Sequence, residues 1–74
     1  MTDDTGTMER KAQVFLEKEI PVHISDKGGS WFNGVIKEVG ADFLILEEFK
    51  LGRQVIFFAE VSKFETYTRE VNNE

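Results

Sequence analysis

Two hydrophobic periods divide this chain, and the change between them falls at Pro21. From Met8 to Glu19 the apolar residues Met8, Ala12, Phe15 and Leu16 recur at i, i+4, i+7 and i+8. That spacing lays an apolar stripe along one side of a helix. Thr7 is placed to cap its N-terminus, and Glu9 suits the positive end of the helix dipole. Pro21 stops the helix, because the residue before a proline avoids the α region. The predicted helix covers 8–19. It is too short to be stable alone in water, so it must lie against an apolar surface.

After Pro21 the period is two. Val22 and Ile24 alternate with His23 and Ser25, and Lys27-Gly28-Gly29 is a turn signal. Ser30 to Val39 reads as a long strand with Phe32, Gly34, Ile36 and Glu38 on one face. Trp31, Asn33, Val35, Lys37 and Val39 take the other. Gly34 inside that strand signals a sharp bend or a close backbone approach. Gly40-Ala41-Asp42 turns the chain into Phe43–Leu46, apolar on both faces. Glu47 to Gly52 reads as a charged, solvated loop. Val55–Phe58 is a further apolar strand, Ala59-Glu60 a brief break, and Val61 to Tyr67 alternates again. One helix and five short strands at this spacing predict a mainly β fold: an N-terminal helix followed by a five-stranded, strongly bent antiparallel SH3-like barrel. The barrel is expected over 21–67, within a domain at 8–67. Polar, acidic residues 1–7 read as a disordered leader and residues 68–74 as a flexible tail.

Composition narrows the choice. The chain has 74 residues, and one this short buries only about 60% of the surface its unfolded form exposes, so it gains from borrowed burial. It has no cysteine and a single histidine, which leaves no disulfide and no zinc site, and no cofactor is expected. No apolar run approaches the roughly 20 residues that span a bilayer, and the polar N-terminus is unlike a signal peptide, so a cytoplasmic protein is expected. Fourteen acidic against nine basic residues give a net charge of −5, which opposes a general phosphate-neutralising surface. Catalysis finds no constellation: the serines lack a nucleophile-elbow context, and Gly28-Gly29 lacks the following lysine and serine of a phosphate loop. The chain does not read as an enzyme.

The order of elements resembles the Sm/LSm superfamily, and among its branches the bacterial Hfq proteins. Ile20-Pro21-Val22-His23-Ile24 ends the helix and opens the first strand as in that family. Gly29-Ser30-Trp31-Phe32-Asn33-Gly34 carries two glycines five apart, followed by Ile36, as in the first Sm signature. Gly40-Ala41-Asp42-Phe43 stands where the family has its Asp-x-Phe stretch, and Val55 to Ser62 occupies the second signature. The similarity covers about residues 9–67.

The resemblance implies a homo-oligomeric ring of five to eight subunits, in which the fourth strand of one subunit pairs with the fifth of the next. Two unpaired edges are themselves a hazard that ring closure removes. A monomeric SH3-like barrel uses the same strands. The interface residues so implied are Val55, Ile56, Phe58, Val61, Phe64 and Tyr67. Of the adjacent Phe57 and Phe58 one must face the core, and the outward one anchors the interface. The resemblance also implies single-stranded, U-rich RNA bound around the pore, by a stacking aromatic, a polar group and a cation. Phe43 stands at the stacking position, and suits barrel core or pore lining equally. Asp42 beside it can accept from a base edge. Phe57, Lys37, Lys50, Arg53 and Lys63 complete the candidate RNA-binding set. Trp31 suits either packing or a binding platform, and His23 a surface position.

The sequence departs from the family at its functional positions. Hfq proteins carry Tyr-Lys-His in the second signature, and Sm proteins Arg-Gly; this chain has Phe57-Phe58-Ala59. Leu16-Glu17-Lys18-Glu19 stands where the Hfq rim has arginines, and Ser25 and Asp26 where its distal face has an aromatic and an apolar residue. The same ring acting as a scaffold or protein-interaction module, with RNA binding weakened or lost, is the alternative these positions support.

Overall fold

The computed structural model describes residues 4–68, so the expectations for residues 1–3 and 69–74 lie outside it. The elements follow in the order α1 (Asp4–Lys18), β1 (Val22–Asp26), β2 (Trp31–Val39), β3 (Phe43–Glu48), β4 (Gly52–Phe57), a single 3-10 turn (Phe58–Glu60) and β5 (Val61–Thr66). An N-terminal helix followed by five antiparallel strands is thus the architecture the chain adopts. The helix begins at Asp4, not Met8, so residues 4–7 belong to it and Thr7 lies inside it. A polar first turn carries no apolar stripe, so periodicity has nothing there to detect. No helix of the described residues is long and apolar enough to cross a membrane.

The C-terminus of α1 is closed by backbone geometry. The N–H of Ile20 donates to the carbonyl of Phe15 at 3.0 Å, and that of Glu19 to Leu16 at 3.2 Å. These two bonds are the Schellman arrangement, with Glu19 in the left-handed position at φ 56°. Glycine usually stands there, because a Cβ is strained at positive φ. Ile20 packs against the core just past the cap. Ala12 and Phe15 are the fully inward residues of the helix, which lies over β2 and the 3-10 turn. Phe15 meets Phe64 edge-on at 5.5 Å. Lys11 Nζ donates to the Phe64 carbonyl and stands 5.4 Å above its ring.

The sheet runs in the order β4-β3-β2-β1-β5. Its inner face supplies Val22, Ile24, Ile36, Leu44, Leu46, Ile56, Val61 and Phe64 to one core, and the 3-10 turn adds Phe58. Two irregularities bend it. One lies between Ile36 and Glu38 opposite Leu46 and Ile45, leaving Lys37 as the extra residue. The other lies between Ser25 and Asp26, where β1 pairs with Lys63 and then Val61, skipping Ser62. Each extra residue resets the alternation and turns the strand more sharply. The second is why Val61 and Phe64, three apart, both point inward.

Gly34 lies where β2 crosses β3 most closely. A Cβ there would fall 2.1 Å from the carbonyl oxygen of Glu47. The expected close approach is therefore between backbones. The β1–β2 hairpin is closed by Asp26, whose Oδ1 accepts from the N–H groups of Gly28 at 3.0 Å and Ser30 at 2.8 Å. That duty gives Asp26 a structural role.

β4 and β5 are the two ends of the strand order, and among the described residues neither pairs with the other. The sheet is bent towards a barrel but leaves both edges open.

Candidate functional site

The β3–β4 hairpin carries the features that separate one face from another. Its register pairs Phe43 with Phe57, Ile45 with Val55, and Glu47 with Arg53. Residues directly opposite share a face, so Phe43, Ile45, Val55 and Phe57 form one outward apolar strip beside the open β4 edge. Val55 is 56% exposed and Phe57 50%. The Phe43 and Phe57 rings lie 6.4 Å apart and tilted. Phe43 is fixed from below: a Cβ on Gly40 would meet its ring at 2.2 Å. The Gly40 N–H also donates to the Phe43 carbonyl at 2.8 Å. Phe43 is consequently half-buried, with one face resting on backbone. Asp42 is exposed beside it, and its carbonyl accepts from the Phe58 N–H at 2.9 Å.

The adjacent phenylalanines resolve in the opposite sense to the assignment made from sequence. Phe58, on the 3-10 turn, is in the core at 1% exposure, and Phe57 faces out. Ile56, Val61 and Phe64 are buried in this chain's own core as well, so their side chains are not free to anchor a neighbour. Val55 and Phe57 are the residues of this stretch that face outward. Tyr67 is half-buried, its N–H donating to the Pro21 carbonyl at 2.9 Å.

The candidate RNA-binding set is not gathered into one site. Arg53 lies four residues along β4 from Phe57, about 13 Å at strand rise, and Lys50 is in the turn beyond it. Arg53 instead faces Glu47 across the ladder, 3.9 Å apart and largely solvated. Lys37 is the exposed bulge residue of β2, and Lys63 is exposed on β5, at the other edge of the sheet. Arg53, Lys50 and Lys63 therefore stand away from the aromatic pair, while Lys37 lies across the β2–β3 ladder from Ile45, at the side of the strip.

At the far end of the hairpin stands a residue the sequence did not single out. Glu47-Glu48 read as a solvated loop, yet both lie in β3 and Glu48 is buried at 7% exposure. Its Oε1 accepts the N–H groups of Lys50 and Leu51, each at 2.8 Å, and its Oε2 that of Asn33 at 3.0 Å. The Asn33 N–H, then those of Leu51 and Lys50, hold the Glu48 carboxyl below the usual carboxylate range, against the opposing effect of burial. The Phe49 N–H donates to the Asn33 carbonyl at 2.9 Å, which completes the closure. The available signal was strand period: Leu44, Leu46 and Glu48 share the inward face.

Around this turn lie the exposed aromatics. Trp31 is 61% exposed and Phe49 55%. Phe49 meets Tyr67 edge-on at 5.6 Å, and Trp31 lies 6.2 Å from the ring of His23. His23, expected at the surface, is half-buried: its Nδ1 donates to Asn33 Oδ1 at 2.5 Å, and its Nε2 lies 3.4 Å from Ser25 Oγ. Among the described residues no group of three or more His, Cys, Asp or Glu is placed to hold a metal.

No protein-family model and no curated protein matches this sequence. Among solved structures, the chain is similar to the crystal structure of the pleiotropic translational regulator Hfq, with a TM-score of 0.71 at 17% identity. The match covers 80% of this chain and 97% of that one. At that identity the likeness shows the fold alone: the chain adopts an Sm-like fold.

Proposed function

We propose that this Sm-like chain assembles edge to edge into a closed homo-oligomeric ring that binds single-stranded, U-rich RNA around its pore. The observation that carries the assembly is the sheet with two open edges, one of them flanked by the outward strip Phe43, Ile45, Val55 and Phe57. An unpaired edge beside apolar side chains is unstable in solution as a lone surface. A head-to-tail contact between β4 of one copy and β5 of the next closes when the rotation permits, in about five to eight copies for rings of this type. Within such a ring, Phe43 offers a stacking face supported from beneath by Gly40, Asp42 an acceptor for a base edge, and Phe57 a second ring. Similarity to a translational regulator favours RNA as the ligand.

A specific observation favours a second reading. Arg53 faces Glu47, Lys50 lies in the β3–β4 turn and Lys63 on the opposite edge strand, and each subunit adds a net −5 to the ring. A ring of that charge resists a polyanion. The second reading keeps the assembly and makes the outer strip a protein-interaction surface.

Filter-binding titrations with oligo-U and oligo-A at low salt separate the two. Saturable oligo-U binding by the assembled protein, lost in Phe43→Ala without loss of the ring, supports the RNA reading. No binding of either oligonucleotide at micromolar protein contradicts it and leaves the scaffold.

A further inference from the structure

The surface around the Glu48 turn is more elaborate than a hairpin needs, and its chemistry differs from that of the Phe43 strip. A cleft of about 310 Å³ opens between Trp31, Phe49 and Tyr67, with Asn33, Glu48 and Lys50 on its floor and rim. A second hollow of about 490 Å³ continues from it past Asn33 and Tyr67, bordered by His23 and Glu65. Three aromatic rings reach the cleft from three separate parts of the chain: the start of β2, the β3–β4 turn, and the residue following β5.

The rings are held in place before any ligand arrives. Glu48 fixes the turn that carries Phe49 through three N–H donors, and the same carboxylate binds the β2 backbone at Asn33. Phe49 rests edge-on against Tyr67, whose backbone is tied to Pro21. Preorganised aromatic faces lower the entropy lost on binding. Two of these rings nonetheless stay more than half exposed, so they contribute little to the chain's own core.

Charge decides what the cleft suits. Lys50 lies close enough to Glu48 to help hold its carboxyl ionised, so the two charges largely offset each other. Glu65 borders the adjoining hollow and makes no ion pair among the described residues. That leaves the Glu65 carboxylate of the adjoining hollow as the unpaired charge next to the cleft, on a chain of net charge −5. Aromatic faces beside an unpaired carboxylate attract a cation, and guanidinium groups stack flat on such faces. A phosphate strand meets the opposite field.

We propose that the cleft bounded by Trp31, Phe49 and Tyr67 receives an arginine side chain from a basic segment of a partner protein, with Glu65, across Tyr67 in the adjoining hollow, as the carboxylate that attracts it. The proposal is independent of whether RNA binds at Phe43.

Trp31 is the chain's single tryptophan, so its emission reports directly on the cleft. The test titrates the assembled protein with a capped pentapeptide carrying two arginines, with the same peptide carrying glutamines instead, and with oligo-U. The expected result is a saturable change in Trp31 emission with the arginine peptide and none with the glutamine peptide. Phe49→Ala and Glu65→Gln should each weaken arginine-peptide binding about fivefold, at unchanged circular dichroism, since both side chains are exposed. Three outcomes would overturn the proposal. They are no saturable response to the arginine peptide, an equal response to the glutamine peptide, and saturation by oligo-U alone. Variants that bind as tightly as the parent would also overturn it.

Discussion

At one end of the β3–β4 hairpin a buried carboxylate closes the turn with three hydrogen bonds; at the other, Phe43 and Phe57 face outward beside an unpaired edge. The same two strands build both ends, and the register sets the difference. On the inward face the alternation Leu44, Leu46, Glu48 ends in a polar group that must be satisfied, and the turn supplies its donors. On the outward face Phe43, Ile45, Val55 and Phe57 have no covering element among the described residues. The closed end owes its order to bonds inside one molecule. The open end, in the proposed ring, is completed by contacts from a neighbouring copy. A small domain with limited core can divide its surface in this way, spending its internal bonds where the fold turns and leaving an edge for assembly.

Substitutions at the two ends should separate these roles. The largest effect is expected at Gly34, opposite Glu48 in the ladder. Gly34→Ala sets a Cβ against the Glu47 carbonyl, a backbone atom that cannot yield without breaking the β2–β3 pairing. It should destabilise the chain by about 3 kcal/mol or more, read as a fall in the urea midpoint.

Glu48→Ala comes next. It strands the N–H groups of Asn33, Lys50 and Leu51 and should cost about 2 kcal/mol. The pH dependence has a definite sign. Because the folded state holds the Glu48 carboxyl below its unfolded value, the stability it contributes is present above the unfolded pKa, about 4.3, and is lost as pH falls through the folded one. Glu48→Gln does not titrate. The difference in urea midpoint between wild type and Glu48→Gln should therefore shrink as pH is lowered from about 6 to about 3. A constant difference across that range would count against the carboxylate's role.

At the open end the expected effect on the chain itself is smaller. Phe57→Asp removes a half-exposed ring and should shift folding stability by about 1 kcal/mol, while abolishing assembly in sedimentation velocity. A variant that unfolds outright would place Phe57 in the core and erase the contrast between the ends. The smallest change is expected from Arg53→Ala, on the outward face beside the closed end. Its ion pair with Glu47 is solvated and 3.9 Å long, so stability should move by less than about 0.5 kcal/mol.

Much of this architecture was legible in the sequence because burial follows period. The switch at Pro21 located the helix and the strands, and Gly34 announced a close approach. What escaped were events that break period or carry none. The first turn of α1 is polar, so no stripe marked its start. The irregularities at Ile36/Glu38 and Ser25/Asp26 reset the alternation, and the second is how Val61 and Phe64 came to share the core. Phe57 and Phe58 straddle the exit from β4, where neither period applies, and the order of inside and outside was settled only by the 3-10 turn. The Glu48 site hid behind its charge. A pair of glutamates suggests solvent, and only the face it shares with Leu44 and Leu46 says otherwise. The aromatic cleft joins Trp31, Phe49 and Tyr67 across long sequence separations, and no local pattern relates them.

The central claim is that the open β4 and β5 edges are completed by neighbouring copies. Native mass spectrometry at micromolar protein tests it most directly. The account predicts a single closed species whose mass is an integer multiple of the 8.5 kDa chain, about five to eight copies. A spectrum dominated by the 8.5 kDa monomer would contradict it.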